Sequence, residues 1–270
     1  MSSDNTKTMS SVDHYENFPV ASVLCPPRLR PPIVAIYHFA RTADDIADEG
    51  QASAEERLHQ LATLKSDLLN GLQHSGPVSP HWPKMLTALW RQINAFDIPV
   101  TWLLALLSAF EQDVIYTRDQ RRYADRQELL DYCERSANPI GRLLLHLYGI
   151  EEPKALAQSD AVCTALQLIN FWQDLSVDTP RNRWYLPVDA NLKDELRFAR
   201  ELMNQGAGLV HQVPGRAGWE LRLVVQGGLR VLDKIAQTDT FLHRPRLNVA
   251  DVALMLWRSA WMRPMPPTHG

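Results

Sequence analysis

The sequence predicts an all-α fold built as a single domain. Apolar residues recur at steps of three and four through most of the chain, and no stretch shows the alternation of a half-buried strand. The 270 residues are 45% hydrophobic and 22% charged, a composition that can bury one sizeable core. No linker-like stretch or internal repeat divides the chain. We therefore expect a domain over residues 14–262, a disordered tail over 1–13 and a C-terminal tail over 263–270.

Helix start and stop signals divide this domain into consecutive helices. The first is predicted from Pro31 and Pro32, which suit a first helical turn, to near Gly50. Ser53 and Glu56 form a capping box at the start of the second helix. A loop rich in Gly, Ser and Pro follows over 71–83. Further helices are predicted over 83–96, 101–118, 125–135, 139–149, 154–178, 191–211, 216–238 and 248–262.

Composition excludes several classes of protein. The net charge of -3 and the absence of a basic run argue against a nucleic-acid partner. Cys25, Cys133 and Cys163 are too far apart for a zinc knuckle or a disulfide framework, which favours a reducing cytoplasm. The N-terminus lacks the pattern of a signal peptide. The longest uncharged apolar stretch, IPVTWLLALLSAF, is shorter than the roughly 20 residues of a membrane span, so we expect a cytoplasmic protein.

Four carboxylates crowd the end of the first helix, within the stretch RTADDIADEG at residues 41–50. Like charges at i,i+4 cost roughly 0.2–0.5 kcal/mol per pair in an isolated helix. At steps of three and four, one stripe of this helix carries Ile33, Tyr37, Ala40, Asp44 and Asp48. Asp44 and Asp48 are therefore predicted to lie on the face that the preceding turns bury, with a solvated charged face as the alternative.

The helix predicted over 154–178 shows the same change from apolar to acidic residues. Its stripe carries Val162, Leu166, Asn170, Asp174 and Asp178 at steps of four. Two inward acidic stripes would repel each other unless cations lay between them. Carboxylate and amide oxygens suit Mg2+, which also binds phosphate, so the stripes predict Mg2+ holding a diphosphate. A diphosphate bound in this way becomes a leaving group, because the metal neutralises the charge that develops on it.

Cationic and aromatic residues accompany both stripes. Arg41, Arg181 and Arg183 could bind phosphate oxygens, with surface salt bridges as the alternative. Six aromatic residues could line an apolar pocket and shield a carbocation, although packing in the core is the more common role for any single one of them. They are Tyr37, Phe39, Tyr132, Phe171, Trp172 and Tyr185.

At these residues the chain resembles the squalene/phytoene synthase family. The stretches YHFARTADDIADE, YCERSANPIG, LQLINFWQD and RWYLP occur in the family's order, and the resemblance spans about residues 14–262. It implies an isoprenoid-synthase-type helical bundle with a central active-site cavity. It also implies a first metal motif at Asp44 and Asp48, and a second at Asn170, Asp174 and Asp178. By the same resemblance Arg41 contacts the diphosphate, and Tyr37, Tyr132 and Arg183 occupy further active-site positions.

Two departures from the family pattern bear on the reaction. Members that condense two prenyl diphosphates usually carry arginine and an acidic residue where this chain has Gln173 and Val177. With HYENFPVAS, which contains Phe18, the chain resembles the branch that forms hydroxysqualene in bacterial hopanoid biosynthesis. This resemblance implies a carbon–oxygen lyase that ionises presqualene diphosphate, made by a paralogue, and captures the rearranged cation with water. The residues expected to bind the substrate or diphosphate are Arg41, Arg183, Tyr185, Phe18, Phe171 and Gln173.

The sequence also has to be weighed against other functions. Head-to-head condensation by a prenyltransferase, giving presqualene diphosphate, dehydrosqualene or phytoene, is the main alternative. The glycines at 206–208 do not form a dinucleotide fingerprint, so no NADPH is expected. A di-iron site would need two Glu-x-x-His motifs, and only Glu56 with His59 qualifies. A helical scaffold without activity would leave both acidic stripes unexplained.

The C-terminal stretch LMLWRSAWMRPMPP allows two interpretations. Leu254, Trp257 and Trp261 have helical spacing, which favours packing in the core. Peripheral docking at the inner face of the membrane is the alternative, attractive for a lipidic substrate.

Overall fold

The computed structural model describes residues 25–73 and 79–262, with the side chains of 72 and 73 excepted. Helices are the only regular secondary structure in these ranges, which confirms the all-α prediction. The α-helices are α1 Arg30–Asp48, α2 Ala54–Gln73, α3 Pro83–Phe96, α4 Val100–Arg118, α5 Arg126–Ser136, α6 Asn138–Tyr148, α7 Pro153–Gln173, α8 Leu175–Asp178, α9 Leu192–Gly206, α10 Gly215–Ile235 and α11 Val249–Ala260. Short 3-10 turns cover Pro27–Leu29, Thr179–Arg181 and Ala207–His211.

Local sequence signals account for several helix ends. The predicted capping box is present: the Glu56 N–H donates to Ser53 Oγ at 3.2 Å, and the Ser53 N–H donates to Glu56 Oε2 at 2.7 Å. Asp125 caps α5 by accepting the Glu128 N–H at 2.9 Å. Gly149 ends α6 with φ of 69°, a left-handed conformation that glycine adopts without strain.

Two predicted helices end earlier than expected. The helix predicted over 154–178 breaks at Asp174, whose φ and ψ of -100° and 11° leave the helical range, and α8 adds only one further turn. Aspartate disfavours the interior of a helix because its side chain can hydrogen-bond to the backbone in non-helical conformations. Here the Asp174 carboxylate binds Arg244. The helix predicted over 191–211 ends at Gly206, where a Cβ would lie 2.5 Å from the Gln158 carbonyl oxygen.

The helices form two packed halves around a cavity. In one half α1 packs against α2, α3 and α4, and its core holds Phe39, Leu64 and Leu107. In the other half α7 packs against α9 and α10, and its core holds Trp172 and Met203. Helix α6 contacts α4, α5 and α7 and so connects the halves.

An apolar cavity lies between the two halves. One part has about 780 Å³ of space, including its open mouth. It is lined by side chains of α1, α4 and α6, among them Asp44 and Leu144. A second part of about 800 Å³ runs between α6, α7 and α10. The two parts share Ile33 and Leu144, so they adjoin beside α1. This agrees with the central cavity expected for the fold.

Asp44 in the acidic stripe of α1 faces this cavity and not the solid core, whereas Asp48 lines a separate polar pocket with Arg181 and Arg183. The fully buried positions of α1 are Pro32, Ala35, Ile36, Phe39, Ala43 and Ala47. Tyr37, Ala40 and Asp44 lie on the neighbouring face and line the cavity. The prediction that this stripe is buried was therefore wrong. The buried face lies one residue earlier in the sequence, which corresponds to a rotation of about 100° around the helix axis. A cavity-facing position is compatible with a charged side chain, whereas a dry core position is not.

Helix α11 contradicts the prediction of core packing for its tryptophans. The side chains of Trp257 and Trp261 are both 63% exposed, and Leu254 is half-buried. The helix turns Asp251 inward instead, because Arg230 and Lys234 bind its carboxylate from α10. Among the described helices, none is long and apolar enough to cross a membrane.

Candidate active site

The first acidic motif carries its own arginine one turn earlier in α1. Arg41 Nη1 lies 3.0 Å from Asp44 Oδ2, and Arg41 Nη2 lies 2.8 Å from Asp45 Oδ1. The i,i+3 and i,i+4 spacings of the helix bring these side chains together. Arg41, Asp44 and Tyr37 line the same end of the cavity. The structure therefore places a cation and a carboxylate where the hydrocarbon-lined space begins.

Arg183 connects the two acidic motifs. Its guanidinium binds both carboxylate oxygens of Asp48, with Nη1 at 2.5 Å from Oδ2. The side chain of Arg183 is only 13% exposed. The turn at Asn182, with φ of 61°, and the bond from the Arg183 N–H to the Asp178 carbonyl oxygen at 3.1 Å fix this placement. A forked contact of this kind gives both geometry and strength.

The second acidic motif lies across from the first. Arg244 binds both carboxylate oxygens of Asp174, with Nη2 at 3.1 Å from Oδ2. Burial raises the pKa of Asp178 to about 6, and the negative charges of Asp174 and Asp48 add to the rise. Arg183 brings the two motifs close together, because its guanidinium binds Asp48 and its N–H donates to the Asp178 carbonyl oxygen.

Sequence reasoning missed Asp113, a half-buried carboxylate of α4. The Tyr132 hydroxyl donates to Asp113 Oδ2, and the Tyr185 hydroxyl donates to Oδ1 at 3.1 Å. Burial raises the pKa of Asp113 to about 7, opposed by the Tyr132 hydrogen bond. Burial and the charge of Asp113 raise the pKa of both tyrosines, so both hydroxyls stay protonated donors. The sequence does contain a signal for this carboxylate, because Asp113 follows the buried residues Leu106 and Ala109 at steps of three and four and so shares their helix face.

The predicted aromatic residues fall into three groups. Tyr132, Phe171 and Tyr185 form one cluster around Asp113, in which the Phe171 and Tyr185 rings stack at 3.8 Å between centroids. Tyr37 lines the cavity. Phe39 and Trp172 are fully buried in the two cores, and Tyr132 and Phe171 are buried as well, so the prediction that these four line the pocket is wrong. Phe18 lies outside the described residues.

Other predicted residues take different positions. Gln173 donates its side-chain amide to the Pro245 carbonyl oxygen at 2.7 Å, and so holds the segment that carries Arg244. Arg181 is exposed after α8. Asn170 lies half-buried in the last turn of α7, one turn before Asp174. Arg244 itself was missed, since the sequence offers no link between residues 70 positions apart.

The donor chemistry of the site fits Mg2+, although the carboxylates are paired with arginines. Across 25–73 and 79–262, no three His, Cys, Asp or Glu side chains are grouped to hold a metal ion. Asp44, Asp48 and Asp174 bind arginine instead. Mg2+ commonly takes one or two carboxylates and fills its other positions with water and phosphate oxygens, so the paired arrangement suits a site completed by diphosphate. The predicted ligands Asp44, Asp48, Asn170, Asp174 and Asp178 stay a prediction.

Comparisons with known proteins agree with this architecture. The model of the squalene/phytoene synthase family matches residues 12–195. The chain is 31% identical to a hydroxysqualene synthase of Sinorhizobium fredii, over 94% of this chain and 91% of that protein. It is 41% identical to a hydroxysqualene synthase of Zymomonas mobilis, over 64% of this chain and 55% of that one. The crystal structure of squalene synthase HpnC from Alicyclobacillus acidocaldarius superposes with a TM-score of 0.70 and 31% identity, covering 83% of this chain and 89% of that one.

Proposed function

The chain belongs to the squalene/phytoene synthase family, and we propose that it converts presqualene diphosphate and water into hydroxysqualene and diphosphate. This reaction is that of a carbon–oxygen lyase in hopanoid biosynthesis, and a paralogous synthase would supply the substrate. The observation that carries the proposal is the alignment with the Sinorhizobium fredii hydroxysqualene synthase. It spans 94% of this chain and therefore includes both acidic motifs.

The arrangement of charges supports the release of a single diphosphate. Arg41, Arg183 and Arg244 converge on the two acidic motifs, and each already binds a carboxylate that an anionic ligand can replace. Mg2+, when bound by the carboxylates, supplies neutralisation of the charge that develops on the leaving diphosphate. The arginines orient the diphosphate so that its C–O bond points toward the apolar cavity.

The cavity supports the second half of the reaction. Its walls are apolar side chains of α1, α6, α7 and α10, which bind hydrocarbon and exclude bulk water. The C–O bond breaks with its electron pair on the diphosphate, and the cyclopropylcarbinyl cation rearranges. A water oxygen forms the new C–O bond and loses one proton. Tyr37, at the end where Arg41 and Asp44 lie, is placed to meet the cation or the water.

The decisive experiment gives purified protein and Mg2+ either presqualene diphosphate or farnesyl diphosphate, without nicotinamide, and identifies the extracted lipids by mass spectrometry. We expect hydroxysqualene from presqualene diphosphate, and farnesyl diphosphate left unconsumed. Consumption of farnesyl diphosphate would make the protein a condensing prenyltransferase and overturn the proposal. Turnover of neither substrate would favour a helical scaffold.

Arg244→Gln is expected to lower kcat/KM for presqualene diphosphate by roughly 10- to 150-fold, because a hydrogen bond to a charged group typically contributes roughly 1.5–3 kcal/mol. Steady-state kinetics would measure this change. Arg246→Gln is the matched control, since Arg246 is an exposed arginine two positions away in the same segment. Equal loss in both variants would show that only the general positive charge of the segment matters.

A further inference from the structure

Helix α11 is amphipathic, but its apolar face points to solvent instead of to the core. Every residue on its outward face is apolar, and every one is exposed to solvent. Together they define the α11 patch: Val249, Val252, Ala253, Leu256, Trp257, Ala260 and Trp261. Their spacing of three and four residues produces one continuous stripe. The exposed fractions reach 87% for Val249, 54% for Leu256 and 63% for each tryptophan.

Beside the half-buried Leu254 and Met255, the inward face of the same helix carries buried polar side chains that hold it in place. Asp251 is 2% exposed, and its carboxylate lies 2.6 Å from Arg230 Nη2 and 2.8 Å from Lys234 Nζ. Asn248 and Asp251 form a capping box at the start of the helix. Ser259 is also buried. The helix cannot rotate to bury its tryptophans without breaking these contacts, so the apolar face is a stable feature of the fold.

The α11 patch continues onto the start of α10. Trp219 is 49% exposed, and the Arg222 guanidinium lies 4.7 Å from the centroid of its indole ring. Arg222 Nη1 also lies 3.4 Å from the Ser259 carbonyl oxygen in the last turn of α11. Trp219 is therefore near the end of the helix that carries Trp261. Contiguous exposed apolar surface of this kind marks an interaction site.

Charge identifies the partner as an anionic surface. The charged side chains on α11 or in contact with it are four cations, Arg222, Arg230, Lys234 and Arg258, and two carboxylates, Asp233 and Asp251. The surroundings of α11 are thus positive, although the whole chain carries a net charge of -3. Tryptophan with flanking arginine is the composition that settles at the boundary between headgroups and acyl chains. A second copy of the chain would bring two positive rims together, which opposes a symmetric contact.

We propose that the α11 patch docks on an anionic lipid bilayer, with α11 lying in the plane of the interface. A helix of 12 residues is about 18 Å long, too short to span the roughly 30 Å hydrocarbon core. In this orientation Trp257, Trp261 and Trp219 enter the boundary region. Arg222 and Arg258, which lie beside these tryptophans, contact the headgroups. The docking surface consists of α11 and the start of α10, and the docking is independent of the proposed reaction.

Co-sedimentation of the full chain with vesicles tests this docking. The vesicles are phosphatidylcholine with or without phosphatidylglycerol, and the variants are Trp257→Ser, Trp261→Ser and the double substitution. We expect the protein to bind the anionic vesicles, and each single substitution to weaken the partition coefficient about tenfold. Leu69→Ser, at an exposed apolar residue of α2, is the matched control and should bind as the parent does.

Several results would overturn the docking proposal. A parent protein that does not sediment with anionic vesicles would do so directly. Unchanged binding by the double variant would remove the α11 patch from the interaction. Sedimentation equilibrium showing a dimer that Trp257→Ser and Trp261→Ser together dissociate, without vesicle binding, would assign the patch to a second copy. Equal binding to neutral vesicles would overturn the role given to the arginines. Unchanged far-ultraviolet circular dichroism would confirm that the variants are folded.

Discussion

Asp174→Asn is expected to lower the turnover of presqualene diphosphate by at least about 10²-fold while the helical fold stays intact. The substitution keeps the size of the side chain but removes the negative charge that we assign to metal and diphosphate binding. Asp44→Asn should have a similar effect from the opposite side of the site. Single-turnover kinetics with saturating Mg2+ would measure the loss, and circular dichroism would check the fold.

Because Asp174 binds Arg244, a double variant can separate a direct role of Asp174 from its role in holding Arg244. If Asp174 served only to hold Arg244, the double variant Asp174→Asn, Arg244→Gln would be no slower than Arg244→Gln alone. We expect the double variant to be much slower, because Asp174 has its own role with the diphosphate. Glu49→Gln is the control, an exposed carboxylate just beyond the first motif. Retained activity in both Asp44→Asn and Asp174→Asn would refute the proposed diphosphate ionisation.

Asp113→Asn is expected to lower kcat by roughly 10- to 100-fold with a smaller change in KM, the range typical of residues that orient active-site groups. We propose that Asp113 acts as a positioning residue, because it accepts hydrogen bonds from Tyr132 and Tyr185 beside the Asp48–Arg183 pair. An amide oxygen can accept from only part of this network, and its N–H group adds a donor that needs a new partner.

The non-additivity of two substitutions distinguishes positioning from general destabilisation. Tyr132→Phe should cost much less in the Asp113→Asn background than in the parent, because both changes break the same contact. Asp131→Asn, an exposed carboxylate beside Tyr132 on α5, is the matched control and should retain full activity. Additive losses would show that Asp113 and Tyr132 act independently.

Asp113 should also make stability depend on pH. Its folded-state pKa of about 7 lies above the ordinary value near 3.9, so the folded protein binds a proton more tightly than the unfolded chain. The stabilisation is fully present below about pH 4 and is lost as pH rises toward 7. Urea unfolding of the parent should follow this trend relative to Asp113→Asn, and a constant difference between the two across this range would contradict it.

Local sequence signals were enough for most helices and for the acidic motifs. The capping box at Ser53 depends on contacts within one turn, and the helix starts at proline need no distant partner. The stripes leading to Asp44 and Asp174 were visible because helical geometry fixes which side chains share a face. The face of α1 that is buried could not be predicted exactly, since the sequence does not distinguish a core position from one that lines a cavity.

The all-α class, the order of the helices and the two acidic motifs can be read from the amino-acid sequence, because they depend on residues a few positions apart. The binding of Asp48 by Arg183, the binding of Asp174 by Arg244 and the two tyrosine hydroxyls that donate to Asp113 became visible in the folded chain. The same holds for the outward orientation of the α11 tryptophans, since the cations that hold Asp251 inward come from α10. Long-range ion pairs select one orientation among several that helical periodicity allows.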